Sequence, residues 1–159
     1  MSRVRFAESR DIPTVMRLLA QVNLLHHKGR PDLFKATAKY AESELQAMFA
    51  NPETPVFVYD DGAGNVLGYA ICFLKRSGGV LLNDVQTLYI DDLCVDETRR
   101  GQGIGRALYE RAVAFARDAD CYNVTLNVWT LNPSAMRFYE NLGMKPQRIT
   151  MEHIVSADS

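Results

Sequence analysis

Arg99-Arg100-Gly101-Gln102-Gly103-Ile104-Gly105 is the run of this chain best equipped to hold a ligand. Three glycines in five positions let the backbone turn tightly and approach a bound group closely. A strand-like run, Leu88 to Val95, precedes it, and a helix-like run, Ile104 to Arg117, follows. The first turn of such a helix presents unpaired N–H groups and the positive end of the helix dipole. Arg99, Arg100 and Arg106 add positive charge. The loop therefore reads as a phosphate or pyrophosphate site. Alone, it also fits a tight strand-to-helix turn with solvated arginines. Two other phosphate loops do not fit. A P-loop closes on Gly-Lys-Ser/Thr, and the chain has no such tripeptide. A dinucleotide loop needs G-x-G-x-x-G, whereas Gly101-x-Gly103-x-Gly105 has the wrong last spacing and follows most of the strands.

Other residues could do chemistry as well. Asp91 and Asp92 interrupt a strand that otherwise reads Leu88-Tyr89-Ile90 and Leu93-Cys94-Val95, where acids are unfavourable. Successive strand residues point to opposite faces, so one of the two should face a cleft. A carboxylate there could accept an amine proton or attract a cation. The alternative is an Asp that satisfies backbone donors at a β-bulge. Tyr139 shares a helical face with Ala135, Phe138 and Leu142, a spacing that by itself describes a core stripe. His26 and His27 read as a solvated pair at a helix end, and Phe34 follows Pro31-Asp32-Leu33. Cys94 could be a nucleophile, but a small apolar strand residue fits there equally well.

The elements that must position these groups follow from periodicity. Val4-Arg5-Phe6 is a short strand, and Asp11 caps a helix with Pro13 in its first turn. His26 to Asp32 breaks that helix, and a second runs from Thr37 to Phe49. Val56 to Tyr59, Val66 to Phe73 and Val85 to Val95 form a β-meander. Ile104, Ala107, Leu108, Ala112 and Phe115 make one apolar helical face. Asn123 to Trp129 is the next strand. Asn132 and Pro133 then open a helix that Gly143 ends. Arg148 to Val155 reads as a final strand, with 156–159 a frayed tail. The order β-αα-βββ-α-β-α-β predicts an α/β (α+β) fold, a central mixed sheet with helices on both faces.

Length and composition bound the function. The 159 residues suit a single domain spanning 1–159. A net charge of −1 gives no broad pull toward nucleic acid or an anionic membrane. No apolar run reaches the roughly 20 residues of a membrane span, and the N-terminus reads as a strand and not a signal peptide. Cys72, Cys94 and Cys121 are scattered and odd in number, which predicts reduced thiols in a cytoplasmic protein. No Cys/His cluster has zinc spacing, so no metal is expected.

Three segments in order resemble the GCN5-related N-acetyltransferase superfamily. Arg100-x-x-Gly103-x-Gly105 resembles its acetyl-CoA loop, and Leu93-Cys94-Val95 the strand end that pairs with the pantetheine arm. Asn132 to Met144 resembles N-x-x-A-x-x-F-Y-x-x-x-G-F, with Met144 in place of the aromatic. The element order agrees with that family, whose sheet is mostly antiparallel. The resemblance implies an acetyl-CoA-dependent N-acetyltransferase that acts by direct attack in a ternary complex. It assigns the CoA contacts to Leu93, Cys94, Val95, Arg100, Gly101, Gln102, Gly103, Ile104, Gly105, Arg106, Asn132, Ala135 and Tyr139. Tyr139 becomes the acid for the leaving thiolate, and a strand N–H, with Cys94 the candidate, the oxyanion donor. Tyr89-x-Asp91-Asp92-Leu93 resembles the Tyr-Leu-Glu-Asp stretch of polyamine acetyltransferases, with Asp91 at the Glu position. Asp91 is then the provisional base, ahead of Asp92. His27, Phe34, Asp91 and Asp92 line the acceptor side. A small cationic amine is the preferred acceptor; a protein or peptide amine stays open, as does a non-catalytic acyl-CoA sensor. Analogy with relatives suggests a homodimer.

Overall fold

A strand pattern needs partners, and here the partners come in chain order. A computed structural model describes residues 3–35 and 39–156. They gather into two compact units, Met1–Asn127 and Val128–Ser159. The first unit holds strands β1 (Val4–Phe6), β2 (Val56–Asp60), β3 (Val66–Ser77), β4 (Val85–Val95) and β5 (Asn123–Leu126). They lie in one sheet in the order β1-β2-β3-β4-β5. Every pairing is antiparallel except β4 with β5, which is parallel. That parallel step needs a crossover, supplied by helix α3 (Ile104–Asp118). Helices α1 (Ile12–Gly29) and α2 (Glu42–Ala50) lie between β1 and β2 in sequence.

Two cores result, one on each face of the sheet. Ile12, Val15, Leu18 and Leu19 of α1 and Leu45 of α2 pack with Val58, Tyr69, Ile71 and Cys94. Ile104, Leu108, Ala112 and Ala116 of α3 pack with Phe57, Ala70, Cys72, Leu88 and Ile90. The alternation of β3 explains the split, since odd residues from Tyr69 enter the first core and even residues from Ala70 the second.

Several boundaries move from their sequence-based positions. α1 runs through His26 and His27 to Gly29, because no residue before Gly29 and Pro31 opposes a helix. Asp11 precedes α1 but makes no side-chain cap. Its carboxylate instead accepts from the Arg5 guanidinium at 2.8 and 3.1 Å and from Glu8 N–H at 2.7 Å. Burial raises the proton affinity of Asp11, and these hydrogen bonds outweigh it, so the pKa falls below its ordinary value. α2 starts at Glu42, where the Glu44 carboxylate accepts from Ala41 N–H at 3.0 Å; the expected start at Thr37 lies outside the described residues. β3 runs on to Ser77, paired with Val85. β5 stops at Leu126, short of Trp129, because its ladder with β4 ends at Ile90.

The second unit contains α4 (Pro133–Asn141). As expected, Asn132 caps it, its Oδ1 accepting from Ala135 N–H at 3.2 Å. Gly143 follows with φ 98°, and Met144 N–H donates to Tyr139 O at 3.1 Å, the left-handed close predicted for that glycine. The expected strand over 148–155 does not form. A strand exists only through ladder bonds, and this segment makes none among the described residues.

Gly68 is where β3 admits α3. A Cβ there would lie 2.7 Å from Cys94 O, 3.1 Å from Leu108 Cδ1 and 3.3 Å from Ile104 Cγ2. The carbonyl belongs to backbone and cannot swing away. Gly68→Ala should lose about 1–3 kcal/mol of stability by overpacking. Urea unfolding measures this, and an unchanged midpoint would show that the sheet absorbs the methyl.

Candidate active site

One irregularity in the β3–β4 ladder builds the site. Ile71 pairs with Asp92, but Cys72 pairs with Ile90, so Asp91 has no partner across the strand. Asp91 is a bulged residue, and a bulge reverses the face of everything beyond it. Before it, Leu88 and Ile90 enter the α3-side core; after it, Leu93 and Val95 do so, while Cys94 enters the α1–α2 core. Asp91 and Asp92 therefore both lie on the α1–α2 side. Strict alternation predicts opposite faces for the pair, and the bulge overrides it.

Each carboxylate has its own tyrosine on that side. The Tyr69 hydroxyl donates to Asp92 Oδ2 at 2.9 Å, and the Tyr40 hydroxyl donates to Asp91 Oδ2 in a short bond. Lys39 Nζ reaches the same Asp91 oxygen at 2.8 Å. Burial pushes the Asp92 carboxyl up to about 6, the nearby Asp91 adding to it, while the Lys39 charge and the Tyr69 bond pull it back. Burial first, then the Asp91 bond, raises Tyr40 above its ordinary value. Burial and the Asp92 charge raise Tyr69 as well. Both phenols thus stay protonated donors. Sequence reasoning missed Lys39, Tyr40 and Tyr69. Tyr40 and Asp91 are 51 residues apart, and no local pattern signals such a pair.

Of the expected acceptor-side residues, His27 and Phe34 meet at the end of α1. The His26 ring stacks on Phe34 with centroids 4.9 Å apart. His27 Nδ1 lies 2.6 Å from Phe34 O; a carbonyl only accepts, so this nitrogen carries the proton. Burial, then the Lys39 charge, lowers the His26 pKa and favours its neutral form. Both imidazoles belong to the last turn of α1. The carbonyl-bound ring of His27 fixes the chain that follows the helix, which corrects its reading as a solvated side chain. Farther along β4, Tyr89 accepts from Asn127 Nδ2 at 3.1 Å, and Lys75 Nζ sits 4.0 Å from the Tyr89 ring centroid.

The cofactor-side residues follow β4 beyond the bulge. β5 pairs only with Thr87 to Ile90, so Asp91 to Val95 keep one ladder edge that β5 leaves open. Asp96 N–H donates to Leu67 O at 2.8 Å. By alternation Cys94 N–H also turns to β3, and those of Leu93 and Val95 turn to the open edge. On this strand it is therefore the N–H groups of Leu93 and Val95, and not that of Cys94, that face the open edge. The Cys94 thiol is buried, donates to Leu18 O at 3.7 Å, and burial pushes it up to about 12, which leaves no thiolate for nucleophilic attack. Asp96 Oδ1 accepts from Thr98 N–H and Oγ1, at 3.0 and 2.9 Å, and anchors the turn into the glycine loop. Gly101 and Gly103 hold φ values of 85° and 79°. Gly103 is the N-cap of α3, and no side chain caps that end. A Cβ on Gly101 or Gly103 would meet nothing within 4 Å. The uncapped helix start, open space and exposed Arg99 and Arg100 fit a pyrophosphate. Arg106 pairs with Glu110 at 2.9 Å on the exposed face of α3.

The second unit carries Asn132, Ala135 and Tyr139 together on α4. Asn132 Oδ1 is engaged twice, by Ala135 N–H and by Ser134 Oγ at 3.1 Å. The Tyr139 ring packs edge-on against Phe138 with centroids 5.0 Å apart. Among the described residues no group of three or more His, Cys, Asp or Glu side chains could hold a metal ion, and no helix is long and apolar enough to cross a membrane.

The Asp92 shift makes a prediction. Its folded pKa, about 6, exceeds the ordinary value near 4 of an unfolded chain, so the folded state binds the extra proton. Stability falls as pH rises from about 4 through about 6. Asp92→Asn removes that loss. Its stability relative to the native chain should climb across this window and level off above it. Urea unfolding at stepped pH checks this, and a difference independent of pH would sink it.

Comparison with known proteins agrees with the geometry. The sequence model of the Acetyltransferase (GNAT) family matches residues 21–144. A solved mutant of the BH1408 protein from Bacillus halodurans is 34% identical, with a TM-score of 0.93, over 96% of this chain and 99% of that one. Thialysine N-epsilon-acetyltransferase of Bos taurus is 27% identical over 136 residues, 84% of this chain and 72% of the relative. A solved aminoglycoside N-acetyltransferase in complex with CoA shares the fold at 10% identity, with a TM-score of 0.73, over 97% of this chain and 99% of that one. Against several other curated relatives the match spans only 20 to 30% of their length. The mixed sheet with its parallel β4–β5 step, the glycine loop and the family match lead to one conclusion: the chain belongs to the GNAT family of acetyltransferases.

Proposed function

We propose that the protein is an acetyl-CoA-dependent N-acetyltransferase that moves acetyl directly to a primary amine, with a small cationic amine as the preferred acceptor. One observation carries the acceptor reading: the bulge turns Asp91 and Asp92 to the same face, beside the open edge of β4. Bound acetyl-CoA supplies a thioester-activated acetyl group. The glycine loop with Arg100 holds the pyrophosphate through backbone N–H groups and charge. The open edge of Leu93 to Val95 takes the pantetheine amides as an added strand would. Leu93 or Val95 N–H stabilises the developing oxyanion. Asp91 seats the ammonium of the acceptor. Asp92, pushed up to about 6, is matched to accepting its proton near neutrality. Tyr139 keeps the role implied by the family motif, its Oη giving a proton to the departing sulfur. The CoA complex of a fold neighbour and the amine-directed relatives support this reading. A reducing, cytoplasmic setting is proposed with it, on the free thiols of Cys72, Cys94 and Cys121.

Thiol release from acetyl-CoA against a panel of amines tests the proposal. Amine-dependent turnover is expected, highest with cationic amines. Saturable CoA binding without turnover across the panel would favour a non-catalytic acyl-CoA sensor. Tyr139→Phe should cut turnover by about 100-fold, the usual worth of a positioned acid, and leave CoA binding intact; unchanged turnover removes Tyr139 from that role. In the native enzyme kcat/KM should rise through a pH limb at about 6, the value to which Asp92 is shifted. Asp92→Asn should abolish the limb, and its survival in the variant would assign the base elsewhere.

A further inference from the structure

One oxygen of the Asp91 carboxylate already carries an ammonium. Lys39 Nζ lies 2.8 Å from Asp91 Oδ2 and also donates to Asp91 O at 3.4 Å. The same Oδ2 accepts from Tyr40 Oη, and the Lys39 ammonium sits 5.6 Å from the Tyr40 ring centroid. A carboxylate, a phenol hydroxyl and an aromatic ring are together what recognises a primary ammonium. Lys39 belongs to the segment just ahead of α2, outside any helix or strand. Its side chain is 38% exposed, whereas that of Asp91 is 16% exposed. The lysine thus reaches from the surface onto a half-buried carboxylate. Such an ion pair at the edge of solvent is weak and exchangeable.

We propose that Lys39 is an internal competitor for the acceptor: its ammonium occupies the Asp91 seat in the free enzyme and withdraws when a primary ammonium from the substrate takes its place. The inference rests on Asp91 being the acceptor seat. It adds a selectivity rule, because neutral ligands cannot replace the charge that leaves. The competitor costs apparent affinity in proportion to the time it occupies the seat. When displaced, Lys39 returns to water at little cost, since its stem is long and its head strongly hydrated. Tyr40 stays on Asp91 in both states and keeps the carboxylate oriented.

Two measurements test this. The first is the 15N–1H signal of the Lys39 ammonium, assigned by its loss in Lys39→Met, during titration of the native protein with butane-1,4-diamine. The signal should move to the position of the exposed lysines. Sodium chloride at matched ionic strength should not move it, and neither should butane-1,4-diol. A signal indifferent to the diamine, or one that moves equally with salt, overturns the proposal. The second is kinetic. Lys39→Met keeps the stem and removes the charge. Its KM for butane-1,4-diamine should fall by about twofold to fivefold, the scale of a partly exposed ion pair. KM for acetyl-CoA should hold, and the effect should vanish in an Asp91→Asn background. A raised or unchanged diamine KM counts against the proposal. Displacement of Lys39 without turnover would leave the competitor in place and remove the transferase reading. Turnover with an undisturbed Lys39 would do the reverse.

Discussion

The site depends on one unpaired residue in a β-ladder. Asp91 has no partner on β3, and its insertion shifts the parity of β4 by one. The facing of the β4 residues beyond it follows from the shift. Without it, Asp92 would point into the apolar core beneath α3, and Cys94 would face the same way. With it, both carboxylates reach the α1–α2 side, and Leu93 and Val95 fill the α3-side core. The pairing of β4 with β5 stops at Ile90, just before the bulge, so the irregularity also coincides with the edge of β4 that β5 leaves open. A bulge bends and twists its strand, which joins these two outcomes in one cause.

Bringing two carboxylates to one half-buried face is costly, and the surrounding residues answer that cost unequally. Asp91 receives a cation and a phenol on one oxygen. Asp92 receives a phenol alone, and burial wins, pushing it up to about 6. The environments separate two chemically identical side chains: one lies against a cation, and the other has its proton affinity raised by burial. The tyrosines serve both as donors, their own ionisation suppressed by burial and by the charges they contact. The buried thiols of Cys72 and Cys94 are pushed up to about 12, chiefly by burial. The chemistry of the sheet therefore rests on oxygen and nitrogen groups.

The donor side follows a different logic. The glycine loop needs little from the rest of the chain beyond a strand before it and a helix after it. Gly101 and Gly103 take left-handed conformations, and α3 starts uncapped. Asp96 ties the turn to β4 through Thr98 and reaches Arg17 of α1 at 3.3 Å. Gly68 lets β3 pass close beneath the first turns of α3. These local contacts set the direction in which the free N–H groups point.

The sequence by itself determined which segments up to Gly143 are helix and which are strand, the glycine loop, the Asn132 cap and the Gly143 close. Each of these is fixed by neighbours within a few residues: helical periodicity, φ preference or a cap three positions away. It also singled out Asp91 and Asp92, because charge inside an apolar strand is visible without a fold. Only the tertiary structure decided which way they face. That outcome needs the register of β3 against β4, and register is a property of paired strands. Tertiary contacts likewise assigned Asp11 to Arg5 in place of the helix end, carried α1 through His26 and His27, ended β5 at Leu126 and left 148–155 without a ladder. They alone brought Lys39 and Tyr40 to Asp91, and Tyr69 to Asp92. Side chains 23 to 52 residues apart in sequence carry no local sign of one another. Their meeting is written in the summed packing of two helices and a bulged sheet.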